Sequence, residues 1–151
     1  MSHGRLRVYL GVAPGAGSTH ALLDEAHRRA DRGTDVVLAA VDTHRRARLD
    51  QALDGVELVG DGSAIDVAAV LARRPAVVFV DDLQRPNPDG ADRAWRWQDV
   101  EYLLAAGLDV VATVDVRHIA SLADVVRAIT GTAPGGAVPD RLVREADQLQ
   151  L

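Results

Sequence analysis

The sequence predicts an α/β domain in which a mainly parallel β-sheet lies between two layers of helices. Two observations lead to this fold class. Segments with helical periodicity alternate with short apolar runs along the chain, as in sheets built from strand–helix–strand units. Most of the apolar runs are nearly continuous and rich in valine, which is typical of strands covered on both faces. These runs occupy residues 6–12, 36–41, 56–59, 76–80 and 110–114.

The helical segments have apolar residues three and four positions apart, and several stop at a glycine or before a proline. Helices are predicted over residues 18–32, 65–73, 97–106 and 119–130. Residues 140–146 are a candidate for a short last helix, and residues 149–151 for a final strand. The segment 84–94 is predicted to be a surface loop because it contains Pro86, Pro88 and Gly90.

Composition narrows the function classes. The 151 residues are enough for one domain, predicted over residues 1–151, and the 48% hydrophobic but only 3% aromatic content predicts an aliphatic core. The net charge of −5 argues against a dedicated nucleic-acid-binding protein. The absence of cysteine excludes disulfides and thiolate chemistry. The apolar runs are too short to cross a bilayer, and no signal peptide opens the chain, so we predict a cytoplasmic domain without direct membrane insertion.

The most informative motif is a glycine-rich loop between the first strand and the first helix. Residues 11–19 read Gly-Val-Ala-Pro-Gly-Ala-Gly-Ser-Thr. Backbone N–H groups in such a loop, together with the helix N-terminus, bind phosphate groups. A nucleotide hydrolase of this class carries a lysine where this chain has Ser18, and all 17 basic residues here are arginine. The alternative for the loop is a tight strand-to-helix turn with a serine cap and no ligand.

Two further loops are candidates for the same ligand. His44 and Arg45 follow the second strand, where they could contact a phosphate or a base, although a solvated charged loop has the same composition. Asp115 follows the fifth strand, where a polar residue often senses the terminal phosphate of a nucleotide, although a loop that leads into a helix has the same pattern. The candidate cofactor-binding residues are therefore Gly11, Pro14, Gly15, Ala16, Gly17, Ser18, Thr19, His44, Arg45 and Asp115.

Asp81 and Asp82 directly follow the fourth apolar run. An acidic residue at this place in a nucleotide-binding α/β protein holds Mg²⁺, and a second one lies near the attacking nucleophile. Asp81 and Thr19 are thus the candidate Mg²⁺ ligands, and Asp81 and Asp82 are the candidate catalytic residues. The alternative is a pair of acids that ends a strand and caps the next turn. Trp97 is predicted to pack in the core.

Taken together, the motifs resemble those of the N-terminal cytoplasmic domain of the KdpD sensor histidine kinases. The resemblance covers residues 4–151 and is most specific in its Trp-Gln-Asp and Val-Pro-Asp elements. The matching motifs are Gly11-x-x-Pro14-Gly15-x-Gly17-x-Thr19, Asp42-Thr43-His44, Val80-Asp81-Asp82-Leu83, Arg96-Trp97-Gln98-Asp99-Val100, Thr113-Val114-Asp115-Val116-Arg117-His118 and Val138-Pro139-Asp140.

This resemblance implies a three-layer P-loop NTPase-like fold that binds ATP or ADP, with or without Mg²⁺. It also implies a regulatory role in potassium and osmotic-stress sensing, with a histidine kinase core or another regulatory protein as partner and no nucleic acid. The chain departs from the family pattern within the presumed site. Ser18 replaces the lysine, Asp82 a glutamate, Asp42 a glutamate and Asp115 an asparagine, and residues 84–86 replace a motif that contains histidine.

The departures leave three functions open. The first is a regulatory pseudo-ATPase that binds nucleotide weakly without turnover, because the charge contact of the lysine is lost. The second is an interaction domain whose phosphate loop is vestigial. The third is a slow NTPase in which an arginine replaces the lysine, with Arg45, Arg46, Arg85 and Arg117 as candidates.

Overall fold

A computed structural model describes residues 3–11, 18–41, 56–60, 62–115, 138–139, 142 and 148–150. The strands are β1 (Leu6–Gly11), β2 (Val36–Ala40), β3 (Glu57–Leu58), β4 (Val77–Val80), β5 (Asp109–Asp115) and β6 (Gln148–Gln150). The helices are α1 (Ser18–Asp31), α2 (Val67–Arg73) and α3 (Arg96–Ala105).

The six strands form one sheet in the order β3-β2-β4-β5-β1-β6, and every neighbouring pair is parallel. The carboxyl ends of all strands therefore meet at the same edge, where ligands bind in open α/β sheets. β5 lies between β1 and β4, so the carboxyl ends of β1 and β4 are separated by the width of one strand. The predicted three-layer α/β fold is confirmed.

Alternation along the strands divides the core into two layers. Tyr9, Leu38 and Phe79 pack on one face of the sheet with the buried α1 residues Leu22 and Leu23. Their strand neighbours point to the opposite face, where they pack against α2 and α3. Because successive side chains of a strand face opposite sides, continuous valine-rich strands supply both layers at once.

The helix ends follow the sequence signals. α1 ends before Gly33, whose φ of +87° favours glycine, and the Thr34 N–H donates to the Arg29 carbonyl at 3.0 Å. α2 is capped by the Asp66 side chain, which accepts from the Ala69 N–H at 3.1 Å. α3 ends before Gly107, with a φ of +94°, as predicted.

The predicted bounds need small corrections. β3 has only two residues because it is an edge strand that pairs with β2 alone. β5 extends one residue beyond the prediction at each end because Asp109 pairs with Val77 and Asp115 pairs with Gly11. The final strand lies at Gln148–Gln150 rather than 149–151. The helix predicted over 119–130 lies outside the described residues, as does the one over 140–146 apart from Leu142. No helix within the described ranges is long and apolar enough to cross a membrane.

Candidate functional site

The carboxyl edge of β1, β4 and β5 gathers the residues singled out from the sequence. Gly11, the last residue of β1, pairs in register with Asp115 of β5. α1 begins at Ser18, so Ser18 and Thr19 lie in its first turn. Pro14, Gly15, Ala16, Gly17, His44 and Arg45 lie outside the described residues.

Asp81 is the most enclosed carboxylate at this edge. It is completely buried, and its Oδ1 accepts a hydrogen bond from the Thr113 hydroxyl at 2.6 Å. The same hydroxyl accepts from the Asp82 backbone N–H at 2.8 Å. The Leu83 N–H donates to the Thr113 carbonyl at 2.8 Å. Thr113 of β5 therefore fixes both the carboxylate of Asp81 and the main chain that follows β4.

Asp82 has a different environment from Asp81. Its backbone has a φ of +54°, a left-handed conformation that is uncommon for a residue other than glycine. Its Oδ1 accepts from Gln84 Nε2 at 3.3 Å, and its Oδ2 lies 3.5 Å from Arg85 Nε. Gln84 Oε1 in turn accepts from the Asp115 backbone N–H at 3.1 Å. The structure thus connects Asp82 and Asp115 through Gln84, and it directs the Asp82 carboxylate into the turn that follows.

A buried arginine binds the main chain of this edge. Arg96, only 3% exposed at the start of α3, donates through Nη1 to the Asp81 carbonyl at 2.7 Å and through Nη2 to the Ser63 carbonyl at 2.9 Å. Burial lowers the pKa of Arg96, while the negative charges of Asp82 and Asp81 oppose that shift. The guanidinium therefore holds the main chain of the acid pair in place and adds a positive charge behind it.

Asp99, from the Trp-Gln-Asp motif, anchors the loop that precedes α3. Asp99 Oδ2 accepts from Asn87 Nδ2 at 2.7 Å, and its Oδ1 pairs with Arg93 Nη1 at 3.1 Å. Trp97 packs against the core formed by the sheet and α3, as predicted. Gln98 Oε1 accepts from the Trp95 N–H at 3.0 Å. The motif therefore shapes the loop and the first turn of α3.

Sequence reasoning missed Thr113, Gln84 and Arg96 as members of this edge. Thr113 lies in a strand otherwise made mainly of valine and alanine. A single hydroxyl in such a strand, next to the strand that the acid pair follows, could have predicted a hydrogen bond to that pair. Arg96 carried a similar signal, since it directly precedes the helix predicted over residues 97–106. Gln84 gave no signal, because its role depends on how the turn after Asp82 folds back to β5.

The described part of the edge holds buried carboxylates that are candidate metal ligands. No group of three or more histidine, cysteine, aspartate or glutamate residues that could hold a metal occurs among the described residues. Asp81 is a candidate carboxylate ligand of Mg²⁺, because Mg²⁺ is commonly held by one or two carboxylates together with phosphate oxygens and water. The Asp82 carboxylate, in contrast, is engaged by Gln84 and Arg85.

Comparison with known proteins gives a consistent family assignment. The family described as "Osmosensitive K+ channel His kinase sensor domain" matches residues 2–151. Sensor protein KdpD of Mycobacterium tuberculosis is 46% identical over an alignment of 157 positions, which covers 98% of this chain and 18% of the relative. Sensor protein KdpD of Escherichia coli K12 is 40% identical, with the same coverage of 98% and 18%.

A shorter relative aligns over the same region. The putative sensor protein KdpD of Synechocystis is 39% identical over 155 residues, which cover 97% of this chain and 42% of the relative. The chain thus spans about a fifth of the length of the first relatives and under half of the third. With a family match over nearly every residue, the chain belongs to the KdpD family and represents its osmosensitive potassium-channel histidine kinase sensor domain.

Proposed function

We propose that this domain is a regulatory module that binds ATP or ADP weakly, together with Mg²⁺, at the loop of residues 11–19 and does not hydrolyse it. In this proposal it acts on the cytoplasmic side of a potassium and osmotic-stress sensor, next to a histidine kinase core. The observation that carries the proposal is the fully buried Asp81, fixed by the Thr113 hydroxyl at 2.6 Å one strand away from the start of the loop.

Two features support nucleotide binding. The N-terminus of α1 follows the loop, and the unpaired N–H groups of a helix start attract phosphate. Asp81 stands at the same edge, and burying a carboxylate is costly unless it has partners. A carboxylate kept there, with its geometry set by Thr113, suits a Mg²⁺ bound together with phosphate oxygens.

We expect weak binding and no hydrolysis. Ser18 cannot replace the charge-assisted contact of a lysine, which contributes about 1.5–3 kcal/mol, a tenfold to hundredfold difference in affinity. Asp81, Asp82 and Asp115 make the edge acidic, so phosphate groups would bind there chiefly with Mg²⁺. Transition-state charge would be even less well stabilised without the lysine.

A second candidate is an interaction domain with a vestigial loop. The observation that favours it is the position of Asp82, whose carboxylate is engaged by Gln84 and Arg85 within the chain. In an active hydrolase this second acid would face the nucleophile. The third candidate is a slow NTPase in which an arginine replaces the lysine; of the four candidate arginines, Arg85 lies within the described residues, with its Nε 3.5 Å from Asp82 Oδ2.

Calorimetric titration with ATP and ADP, each with and without Mg²⁺, tests the proposal. We expect weak binding that requires Mg²⁺, that is abolished by Gly17→Asp and that is reduced about tenfold by Asp81→Asn. Asp31→Asn is the matched control, because Asp31 is an exposed residue at the end of α1, and the loop of residues 11–19 precedes the other end of that helix. Absence of heat with either nucleotide at high protein concentration would refute nucleotide binding and favour the interaction domain.

Two further measurements separate the remaining candidates. Phosphate release above that of Asp81→Asn would establish a slow NTPase, and loss of that excess in Arg85→Gln would identify the replacing arginine. Binding of the histidine kinase core by wild type and by Gly17→Asp, with and without nucleotide, tests the regulatory role. Equal binding in all four conditions would contradict regulation by nucleotide.

A further inference from the structure

At the opposite edge of the sheet, arginine side chains from β1 and α1 surround a small polar cavity of about 310 Å³. We call it the arginine pocket; its lining residues are Arg7, Glu25, Arg28, Arg29, Arg32 and Thr34. α1 runs antiparallel to the strands, so its C-terminal half lies beside the start of β1. Glu25, the α1 residue of the pocket nearest the loop edge, lies seven residues after Ser18, which is about 10 Å along the helix.

A buried glutamate forms the base of the arginine pocket. Glu25 is 3% exposed; its Oε1 accepts from Arg7 Nη1 at 2.5 Å and from the Tyr9 hydroxyl, and its Oε2 lies 2.9 Å from Arg29 Nη2. Burial raises the pKa of Glu25, but the hydrogen bonds from Tyr9 and Arg7, together with the positive charges of Arg29 and Arg7, lower it overall. Glu25 is therefore held as an anion that fixes the orientation of two guanidinium groups.

The charges around the pocket do not balance. Four arginines line it, against the single carboxylate of Glu25. Arg28 pairs with Asp24 at 3.1 Å, but both of those side chains are largely exposed, and exposed pairs are weak. Arg32 forms no ion pair with any residue in the described ranges. This excess of positive charge is notable in a chain whose net charge is −5.

Arginines near a helix C-terminus also offset the helix dipole, which is a purely structural reason for Arg28 and Arg29. That reason does not extend to Arg7, which lies on β1 and points into the same pocket. Nor does it require the convergence of the guanidinium groups on one cavity. Like charges in close proximity are unfavourable unless an opposite charge lies between them.

We propose that the arginine pocket binds a small soluble oxyanion with two or more negative charges, of the phosphate or diphosphate class. Guanidinium groups present paired N–H donors that match phosphate oxygens. Glu25 sets the orientation of Arg7 and Arg29 in advance, while Arg28, Arg32 and the Thr34 hydroxyl line the rim. The site is separate from the loop of residues 11–19 and does not depend on nucleotide binding there.

The test uses inorganic pyrophosphate as the probe and Gly17→Asp as the background, so that the loop of residues 11–19 does not contribute. A titration monitored by calorimetry and by the amide NMR shifts of Arg32 and Thr34 should show saturable binding. This binding should weaken with added salt. The Arg28→Gln/Arg32→Gln double variant should bind about tenfold more weakly. These exposed positions leave the Glu25 contacts intact, so the variant should keep its fold.

Arg74→Gln is the control for Arg32→Gln, because Arg74 is an exposed arginine at the end of α2 and its loss changes the net charge equally. The pocket is established if Arg32→Gln weakens pyrophosphate binding and Arg74→Gln does not. Equal effects of the two variants, or no saturable binding, would overturn it. Binding that appears only with vesicles of phosphatidylcholine and phosphatidylglycerol would also overturn it, because the phosphate would then come from a lipid surface.

Discussion

Replacing Thr113 with valine is the most direct test of how the acidic edge is held. Valine differs from threonine chiefly in the hydroxyl, so the substitution leaves no sizeable cavity in β5. It removes the donor to Asp81 Oδ1 at 2.6 Å and the acceptor for the Asp82 N–H at 2.8 Å. Since Thr113 is 1% exposed, water cannot readily replace either partner.

The magnitude follows from these two contacts. A hydrogen bond to a carboxylate contributes about 1.5–3 kcal/mol, and a neutral one about 0.5–1.5 kcal/mol. We therefore expect Thr113→Val to lower the free energy of unfolding by about 3 kcal/mol. For a domain of this length such a loss lowers Tm by about 6–12 °C.

Urea denaturation followed by circular dichroism measures this loss. Thr113→Ser is the control: it keeps the hydroxyl and removes one methyl group, which costs about 1 kcal/mol. Asp81→Asn combined with Thr113→Val should be destabilised by less than the sum of the two single variants, because both remove the same contact. If Thr113→Val is no less stable than Thr113→Ser, the hydroxyl does not hold the edge and the reasoning is wrong.

Three further predictions concern other buried polar contacts. Glu25→Gln should reduce the loss of stability in acid. The lowered pKa of Glu25 stabilises the fold above the unfolded-state pKa of about 4.3, and this stabilisation is lost as the pH falls through the lower folded-state pKa. Urea denaturation at several acidic pH values measures the difference between the variant and the wild type. Asn87→Ala should lower the unfolding free energy by about 1–3 kcal/mol and speed hydrogen exchange in residues 84–95; unchanged exchange would contradict the anchoring of this loop by Asp99. Arg96→Met should cost about 3 kcal/mol or more in chemical denaturation, because the Asp81 and Ser63 carbonyls lose a charged donor; a neutral effect would mean that water replaces it.

The sequence was most informative where one residue pattern has one structural solution. Short, continuous valine-rich runs predicted the strands, because valine favours strands and a sheet covered on both faces buries every position. Gly33 and Gly107 marked the ends of α1 and α3 because a positive φ favours glycine. The order of strands and helices along the chain predicted a three-layer α/β fold, which the structure confirms.

The same reasoning placed Asp81 and Asp115 at the carboxyl edge, because each follows or ends a parallel strand. It did not separate the environments of Asp81 and Asp82, which are adjacent in sequence. The left-handed backbone of Asp82 turns its carboxylate toward Gln84 and Arg85, whereas Asp81 bonds to Thr113. That difference depends on how the turn after β4 packs on β5, which no local pattern contains.

By itself, the sequence determined the fold class, the strand positions and the edge at which the acidic residues lie, since side-chain alternation and glycine conformation are local properties of the chain. Only the tertiary structure decided which polar groups meet. Thr113 and Asp81 are 32 residues apart, and Arg7 and Glu25 are 18 apart. Each pair forms because parallel strand order and helix packing bring distant segments together, where burial makes an unpartnered charge too costly to retain.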